Sequence, residues 1–453
     1  MTGRWNLQAK AIAAILAAGF VLSVAANWPG HLSYDSVLQL GQARSGVYNT
    51  WHPPVMAWLM GIGDALVPGT GLFTTFDAAL AFGALGTAMW FGRTRAGWAA
   101  VAVAAAAALL PQLLIYQGIV WKDVLFADAA VAGFACLTVA ASGARRWWFA
   151  GASFVLLVLA GLARQNGLVL LPFAAIATGW IAAREGMSRW RASALGVGVF
   201  VALLGSVFAA GTLLNLRSDG EPGPVEQFRL LQIYDLAGAM AHDPNLALVH
   251  LDQDDPDMAR AIRAQAPRLY TPIRNDPLIS APGMQAPLRT LDEDALSADW
   301  RALVLHRTGL YLKVRWADFA QVLFTPDIAA CRPIFIGIEA PQDLLRGLGL
   351  KSRRDARDLF FDRYGKAFFG TPVLSHVPFL LIALGGIVLF ARRRRPADIA
   401  FAAMLTGALA FSASFFAISI ACDYRYLYLL DLSALVALLY AATDWRTLWR
   451  NSA

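Results

Sequence analysis

Apolar runs long enough to cross a bilayer recur along the chain. A membrane span needs roughly 20 such residues, and a sliding window finds about ten runs, near 9–28, 73–92, 97–116, 122–141, 147–163, 167–183, 193–215, 373–391, 397–420 and 425–443. One run departs from this pattern. From Pro54 to Val67 the chain is apolar but too short to span, and Pro68-Gly69 stops it, which predicts a helix lying in or dipping into the interface. Between 216 and 372 the pattern is mixed: prolines punctuate Pro222 to Pro287, and an amphipathic stretch follows from Ala298 to Phe324. The predicted fold is therefore an all-α polytopic membrane protein of about ten transmembrane helices. Interfacial helices are expected in the first external loop, and a mostly helical external segment before the last three spans. Its parts are an N-terminal transmembrane catalytic module at 1–215 (first external loop 29–72), an extracytoplasmic segment at 216–372 and C-terminal helices at 373–453.

Charge orients this arrangement. With the N-terminus (Arg4, Lys10) inside and the short 54–67 run not counted as a span, the basic clusters all fall on the cytoplasmic side: Arg93 with Arg95, Arg145 with Arg146, Arg184 with Arg189 and Arg191, Arg392 to Arg395, and Arg446 with Arg450. Counting it as a span sends most of them outside. The first apolar run is full length and lacks a convincing small-residue cleavage site, so it is expected to remain as the first span. Composition agrees with a membrane protein: 58% of the 453 residues are hydrophobic and 15% charged, with a mean hydropathy of +0.51. The net charge of +7 does not point to nucleic acid, because the arginines sit in short clusters between apolar runs. Three cysteines, Cys136, Cys331 and Cys422, are too few and scattered for a metal cage. Cys331 and Cys422 would both face the oxidising side, where a disulfide is conceivable, but free buried thiols are favoured.

The same topology gathers the polar turns on the other side. Asn27 to Pro54 carries one acid, Asp35, with Tyr34, His31, His52 and a Pro-Pro stop, a composition that suits a site floor better than a connector. Asp35 reads either as a helix N-cap or solvated loop acid, or as a general base for a sugar hydroxyl. Trp121-Lys122-Asp123 opens a span from this side; Lys122 and Asp123 either snorkel and pair, or bind a phosphate and an acceptor hydroxyl or metal. Asp128, deeper, is equally a partner for a neighbouring helix. Arg164-Gln165-Asn166 places an arginine against the orientation bias, explained either by an anionic ligand, with Gln165 and Asn166 on sugar hydroxyls, or by an ion pair with a carboxylate such as Asp123. Asp423-Tyr424-Arg425-Tyr426 opens the last span, with Asp431 expected to hold Arg425. Lys122, Arg164 and Arg425 would then be three cations on one face, as a phosphate leaving group requires. His52 is a helix-start or substrate-side residue; alone it makes no metal site. No P-loop, dinucleotide or zinc spacing appears on a suitable turn.

In their order, Asp35, His52-Pro53-Pro54, Trp121-Lys122-Asp123, Arg164-Gln165-Asn166-Gly167 and Asp423-Tyr424-Arg425-Tyr426 resemble the GT-C superfamily of integral-membrane glycosyltransferases. Within it they resemble the bacterial aminoarabinose, mannosyl and galacturonosyl transferases that use polyprenyl-phosphate sugars. The resemblance covers Asn27 to Gly167 well, thins through the external segment and returns at Tyr424. It implies a bacterial cytoplasmic-membrane enzyme whose site faces the periplasm, with Asp35 acting on the acceptor hydroxyl and cations on the lipid phosphate. Its expected partners are a polyprenyl-phosphate sugar, membrane lipids and an external acceptor (glycan, lipid or protein). Many members carry an acid pair in the first loop, whereas Asp35 is followed by Ser36. That leaves Asp123 as the second acid and no required cofactor, a divalent cation being compatible but not favoured. The alternative function is a transporter or flippase of a lipid-linked or anionic substrate, which about ten spans with intramembrane charges also describe.

Overall fold

The computed structural model describes residues 5–143, 146–218 and 223–444; Arg4, Arg145, Arg446 and Arg450 of the basic clusters lie outside them. Among the described residues nine helices are long and apolar enough to cross a membrane: Leu7–Asn27, Gly71–Gly92, Lys122–Ala141, Arg146–Ala163, Gln165–Arg184, Arg189–Asn215, His376–Arg393, Pro396–Ile418 and Tyr424–Thr443. The chain is a multi-pass membrane protein built of helices. The expected third span is not one straight helix. It breaks into Trp98–Leu109 and Pro111–Gly118, bent by 59°, because Pro111 has no N–H to continue the ladder and forces the extended backbone seen at Leu110. Counted as one, this pair makes ten spans. In the first loop the chain forms Tyr34–Ser45 and Pro54–Leu66. The second has 13 residues, too few to span, and Pro54 at its first position suits a helix start.

The chain folds as two compact units. One comprises Met1–Asp219, Ile334–Phe411 and Leu427–Ala453; the other comprises Gly220–Pro333 and Ser412–Tyr426. The division cuts through the expected 216–372 segment, since its last part, from Ile334 on, belongs with the spans.

In the first unit, ion pairs gather the helix ends. Arg95 (3.1 Å), Arg393 (3.2 Å) and Arg395 (2.5 Å) meet Asp444, and Arg146 meets Glu185 at 3.2 Å. At the other ends of the same helices, Asp123 meets Arg164. The basic clusters that the structure describes thus lie at the end of the bundle away from the first loop.

The second unit is organised around Arg315, which is fully buried. Its guanidinium meets Asp235 at 3.0 Å and Asp318, and donates to the carbonyls of Ala417 (3.2 Å) and Ser419 (2.8 Å). Tyr270 donates to Asp318 (2.9 Å) and Trp300 to Asp235 (2.8 Å). Around this polar centre pack Ile233, Tyr234, Leu236, Met258, Ile262 and Val314. Cys331 and Cys422 form a disulfide, with Cα atoms 5.0 Å apart. This corrects the expectation of free thiols, and the reason is reach: the carbonyl of Cys331 accepts the Tyr424 N–H at 2.9 Å, so two segments 91 residues apart in sequence are already laced together.

Two carboxylates share one guanidinium here, and burial pushes Asp235 up to about 6 and Asp318 up to about 7 against the pull of Arg315. The folded chain therefore holds protons that the unfolded chain has released. Stability from this source is full below the ordinary value of 3.8 and is lost as pH rises through 6 to 7. Thermal midpoints of the full chain in detergent are expected to fall between about pH 5 and pH 8, and Asp318→Asn is expected to flatten that slope.

Candidate functional site

The first loop is laced into the first unit from two sides. The His31 N–H donates to Gly118 (2.7 Å), the Val120 N–H to His31 (3.0 Å), the Leu32 N–H to Gly337 (2.9 Å) and the Glu339 N–H to Leu32 (3.1 Å). Residues 31 and 32 are thus one extended rung between 118–120 and 337–339. Side chains complete the lacing: Ser36 donates to the Val120 carbonyl (2.5 Å) and the Trp121 indole to the Ser33 hydroxyl (3.1 Å). The approach is close enough to select glycines. A Cβ on Gly118 would lie 2.2 Å from Asn27, and Gly30 has φ +120°.

This lacing sets Asp35, in the first turn of Tyr34–Ser45, across from the start of Lys122–Ala141. Lys122 Nζ lies 3.2 Å from His52 Nδ1, and His52 Nε2 lies 3.8 Å from Asp35 Oδ1. An ammonium only donates, so Lys122 donates to Nδ1 and the ring proton sits on Nε2, facing the carboxylate. Asp35 keeps 36% of its side-chain surface exposed while His52 keeps 12%, so the acid is the more exposed end of this string. Next to it, Asp123 sits in the first turn of its helix, where an acid is stabilised, and forms an ion pair with Arg164. Both are buried, at 2% and 7% exposure. Arg164 also donates to Asn166 Oδ1 at 3.2 Å, and its guanidinium lies 5.6 Å from the centre of the Phe411 ring. Among the described residues no group of three or more His, Cys, Asp or Glu side chains is placed to hold a metal ion.

Among solved structures, the chain is similar to the archaeal oligosaccharyltransferase AglB from Archaeoglobus fulgidus, in complex with an inhibitory peptide and a dolichol-phosphate. Identity is 14%, TM-score 0.40, and the match covers 97% of this chain and 51% of that one. A second structure of the Archaeoglobus fulgidus oligosaccharyltransferase, in complex with Zn and sulfate, matches at 14% identity and TM-score 0.43, over 96% and 49% of the two chains. ArnT from Cupriavidus metallidurans in the apo state matches at 17% identity and TM-score 0.35, over 96% and 77%. The chain spans about half the length of the archaeal proteins. No family model and no curated protein matches it.

Of the residues singled out from sequence, Asp35, His52 and Lys122 form one string, and Asp123 and Arg164 one pair beside it. Gln165 is exposed and Tyr34 is 51% exposed, both on the same turns. Arg425, Tyr424 and Tyr426 belong to the second unit. There Arg425 meets Asp423 at 3.0 Å, Asp423 also meets Arg274 at 2.9 Å, and Tyr426 stacks on Phe415 at 5.0 Å. Tyr424 is fully buried. Asp431 pairs with His376 at 2.9 Å.

Sequence gave no role to His31, which anchors the loop. Its Nε2 donates to Asn27 (2.9 Å), and its Nδ1 accepts from the Gly337 N–H (3.1 Å) and Arg353 (3.1 Å), which is itself paired with Asp358 at 3.0 Å. Burial, reinforced by the Arg353 charge, lowers its pKa to about 3, so it stays neutral and works as a fixed acceptor.

Proposed function

We propose that this chain is a membrane glycosyltransferase that moves a sugar from a polyprenyl-phosphate donor to an acceptor outside the cytoplasm, with Asp35 as general base. The observation that carries the reading is the string Asp35–His52–Lys122 beside Arg164: a partly exposed carboxylate, an oriented imidazole and two cations at one end of the bundle. Asp35 takes the proton from the acceptor hydroxyl, whose oxygen forms the new bond to the anomeric carbon. The bond from that carbon to the phosphate oxygen breaks, and the electron pair leaves with the phosphate, neutralised by Lys122 and Arg164. A single displacement of this kind inverts the anomeric centre. Asp123, paired with Arg164, serves to position that guanidinium. Tyr34, Gln165 and Asn166 are assigned to sugar hydroxyls.

The host membrane is proposed to be a bacterial cytoplasmic membrane with the site facing the periplasm. Supporting this, the basic clusters lie at the opposite helix ends, and the Cys331–Cys422 disulfide suits an oxidising compartment. A metal-independent reaction is favoured because the ammonium of Lys122, next to His52, repels a cation from the neighbourhood of Asp35. Chelation with EDTA is therefore expected to leave the transfer rate within about twofold, a change of under ~0.5 kcal/mol in the barrier; a complete loss restored by a divalent cation contradicts it.

The direct experiment uses the purified full chain in proteoliposomes, with a panel of radiolabelled polyprenyl-phosphate sugars and a membrane extract as acceptor. Label passing into acceptor with release of polyprenyl phosphate is the expected result. Label that only changes leaflet identifies the transporter reading. With the active donor in hand, Lys122→Met and Arg164→Gln are expected to raise the donor KM about tenfold or more, the loss of one charge-assisted contact each. Arg425→Gln in the same assay decides whether the third cation belongs with them.

A further inference from the structure

Two carboxylates lie inside the bundle with no counter-charge acting on them among the described residues. Asp77, on Gly71–Gly92, and Asp128, on Lys122–Ala141, are both fully buried, on helices that pack against one another, and the charge of Asp77 acts on Asp128. No basic side chain is among the described groups that act on either. Gln117 spends its amide N–H groups on Asp128 Oδ1 (3.2 Å) and the Tyr428 hydroxyl (2.8 Å), and Tyr428 donates onward to the Gln112 carbonyl (2.7 Å). The donors are thereby used up. Both oxygens of Asp77, Asp128 Oδ2 and Gln117 Oε1 have no hydrogen-bond partner among the described residues, and Gln117 is 2% exposed. Four buried acceptors facing no donor are an expensive arrangement in an apolar span.

We propose that Asp77, Asp128 and the Gln117 side-chain carbonyl bind a hard cation, independently of the transfer chemistry at Asp35. The donor set is all oxygen, as Ca²⁺ and Na⁺ take. Two carboxylates neutralise one divalent ion, or one monovalent ion together with one proton. Mg²⁺ fits poorly, because it gives up its water shell reluctantly and the three side chains are buried. Both acids sit about two turns from the helix ends that carry the first-loop lacing. Its role is to tie Gly71–Gly92, Lys122–Ala141 and the 116–118 turn together beneath the loop.

The test is thermal unfolding of the full chain in detergent at constant ionic strength, with choline chloride as reference and CaCl₂, NaCl, KCl or MgCl₂ as the varied salt. A saturable rise of the midpoint by about 3 °C or more is expected with Ca²⁺ or Na⁺. Calcium acting with sodium inert marks divalent occupancy; the reverse marks monovalent occupancy with one carboxyl protonated. Asp77→Asn and Asp128→Asn are each expected to abolish the response, while Asp64→Asn, in an exposed pair with Arg44, keeps it. The readout is the cation response and not the midpoint itself, which neutralising an orphan carboxylate also raises. A midpoint that responds to pH and to no cation means that the two acids simply hold protons and overturns the proposal. So does a cation response that survives in both asparagine variants.

Discussion

Replacing Asp35 by Asn is expected to slow sugar transfer by about 10²- to 10⁴-fold, the usual contribution of a positioned general base, with the donor KM little changed. The asymmetry follows from position. Asp35 is the exposed end of the string, while the donor phosphate is assigned to Lys122 and Arg164, behind it. Asparagine keeps the volume of the side chain but cannot take a proton, and His52, held by Lys122 with its proton on Nε2, offers no lone pair toward the acceptor to replace it. Initial rates in proteoliposomes at saturating donor measure the effect. Near-full activity in Asp35→Asn removes the base assignment, and a raised donor KM with unchanged kcat moves Asp35 to donor binding.

The second large effect concerns stability. Arg315→Met is expected to cost the second unit roughly 3–5 kcal/mol, because removing one partner of a buried ionic centre leaves the others uncompensated. Asp235 and Asp318 would be stranded at 0% and 2% side-chain exposure, and the Ala417 and Ser419 carbonyls would lose a charged donor. A loss of this size is a large part of the 5–15 kcal/mol that typically holds a domain. Limited proteolysis across the 223–333 helices, compared with denaturant unfolding of the full chain, reads it. The triple variant Arg315→Met/Asp235→Leu/Asp318→Leu is expected to recover much of the loss, since replacing a whole buried ionic group by apolar side chains is often neutral. A midpoint in Arg315→Met indistinguishable from the parent would show that Arg315 is not the centre of that unit.

What could be read from the sequence was local. Hydrophobic run length gave the spans, and the Pro-Pro and Pro-Gly brackets isolated the short 54–66 helix. An acid and a histidine in one polar loop pointed to Asp35 and His52. The members of the string from Asp35 to Lys122 all lie in turns singled out for their composition. The rest depends on contacts between distant segments, for which periodicity carries no signal. His31 looked like one polar residue among several, because Gly337, Arg353 and Asp358 lie some 300 residues further on. An ion pair with Asp123 is one of the two explanations the sequence offers for Arg164, and it is the fold that brings the two within reach. The bend at Leu110 was legible in principle from Pro111, yet an unbroken run of apolar residues on either side concealed it. Spacing alone does not bring Cys331 and Cys422 together; the fold does.

The most direct measurement is a structure of the full chain in lipid with a polyprenyl phosphate bound. The account predicts a phosphate within hydrogen-bond reach of Lys122 and Arg164, its lipid tail leaving between spans and the Asp35 carboxylate facing an open chamber on the same side. A phosphate held elsewhere, with Lys122 still on His52 and Arg164 still on Asp123 and neither touching it, would contradict it.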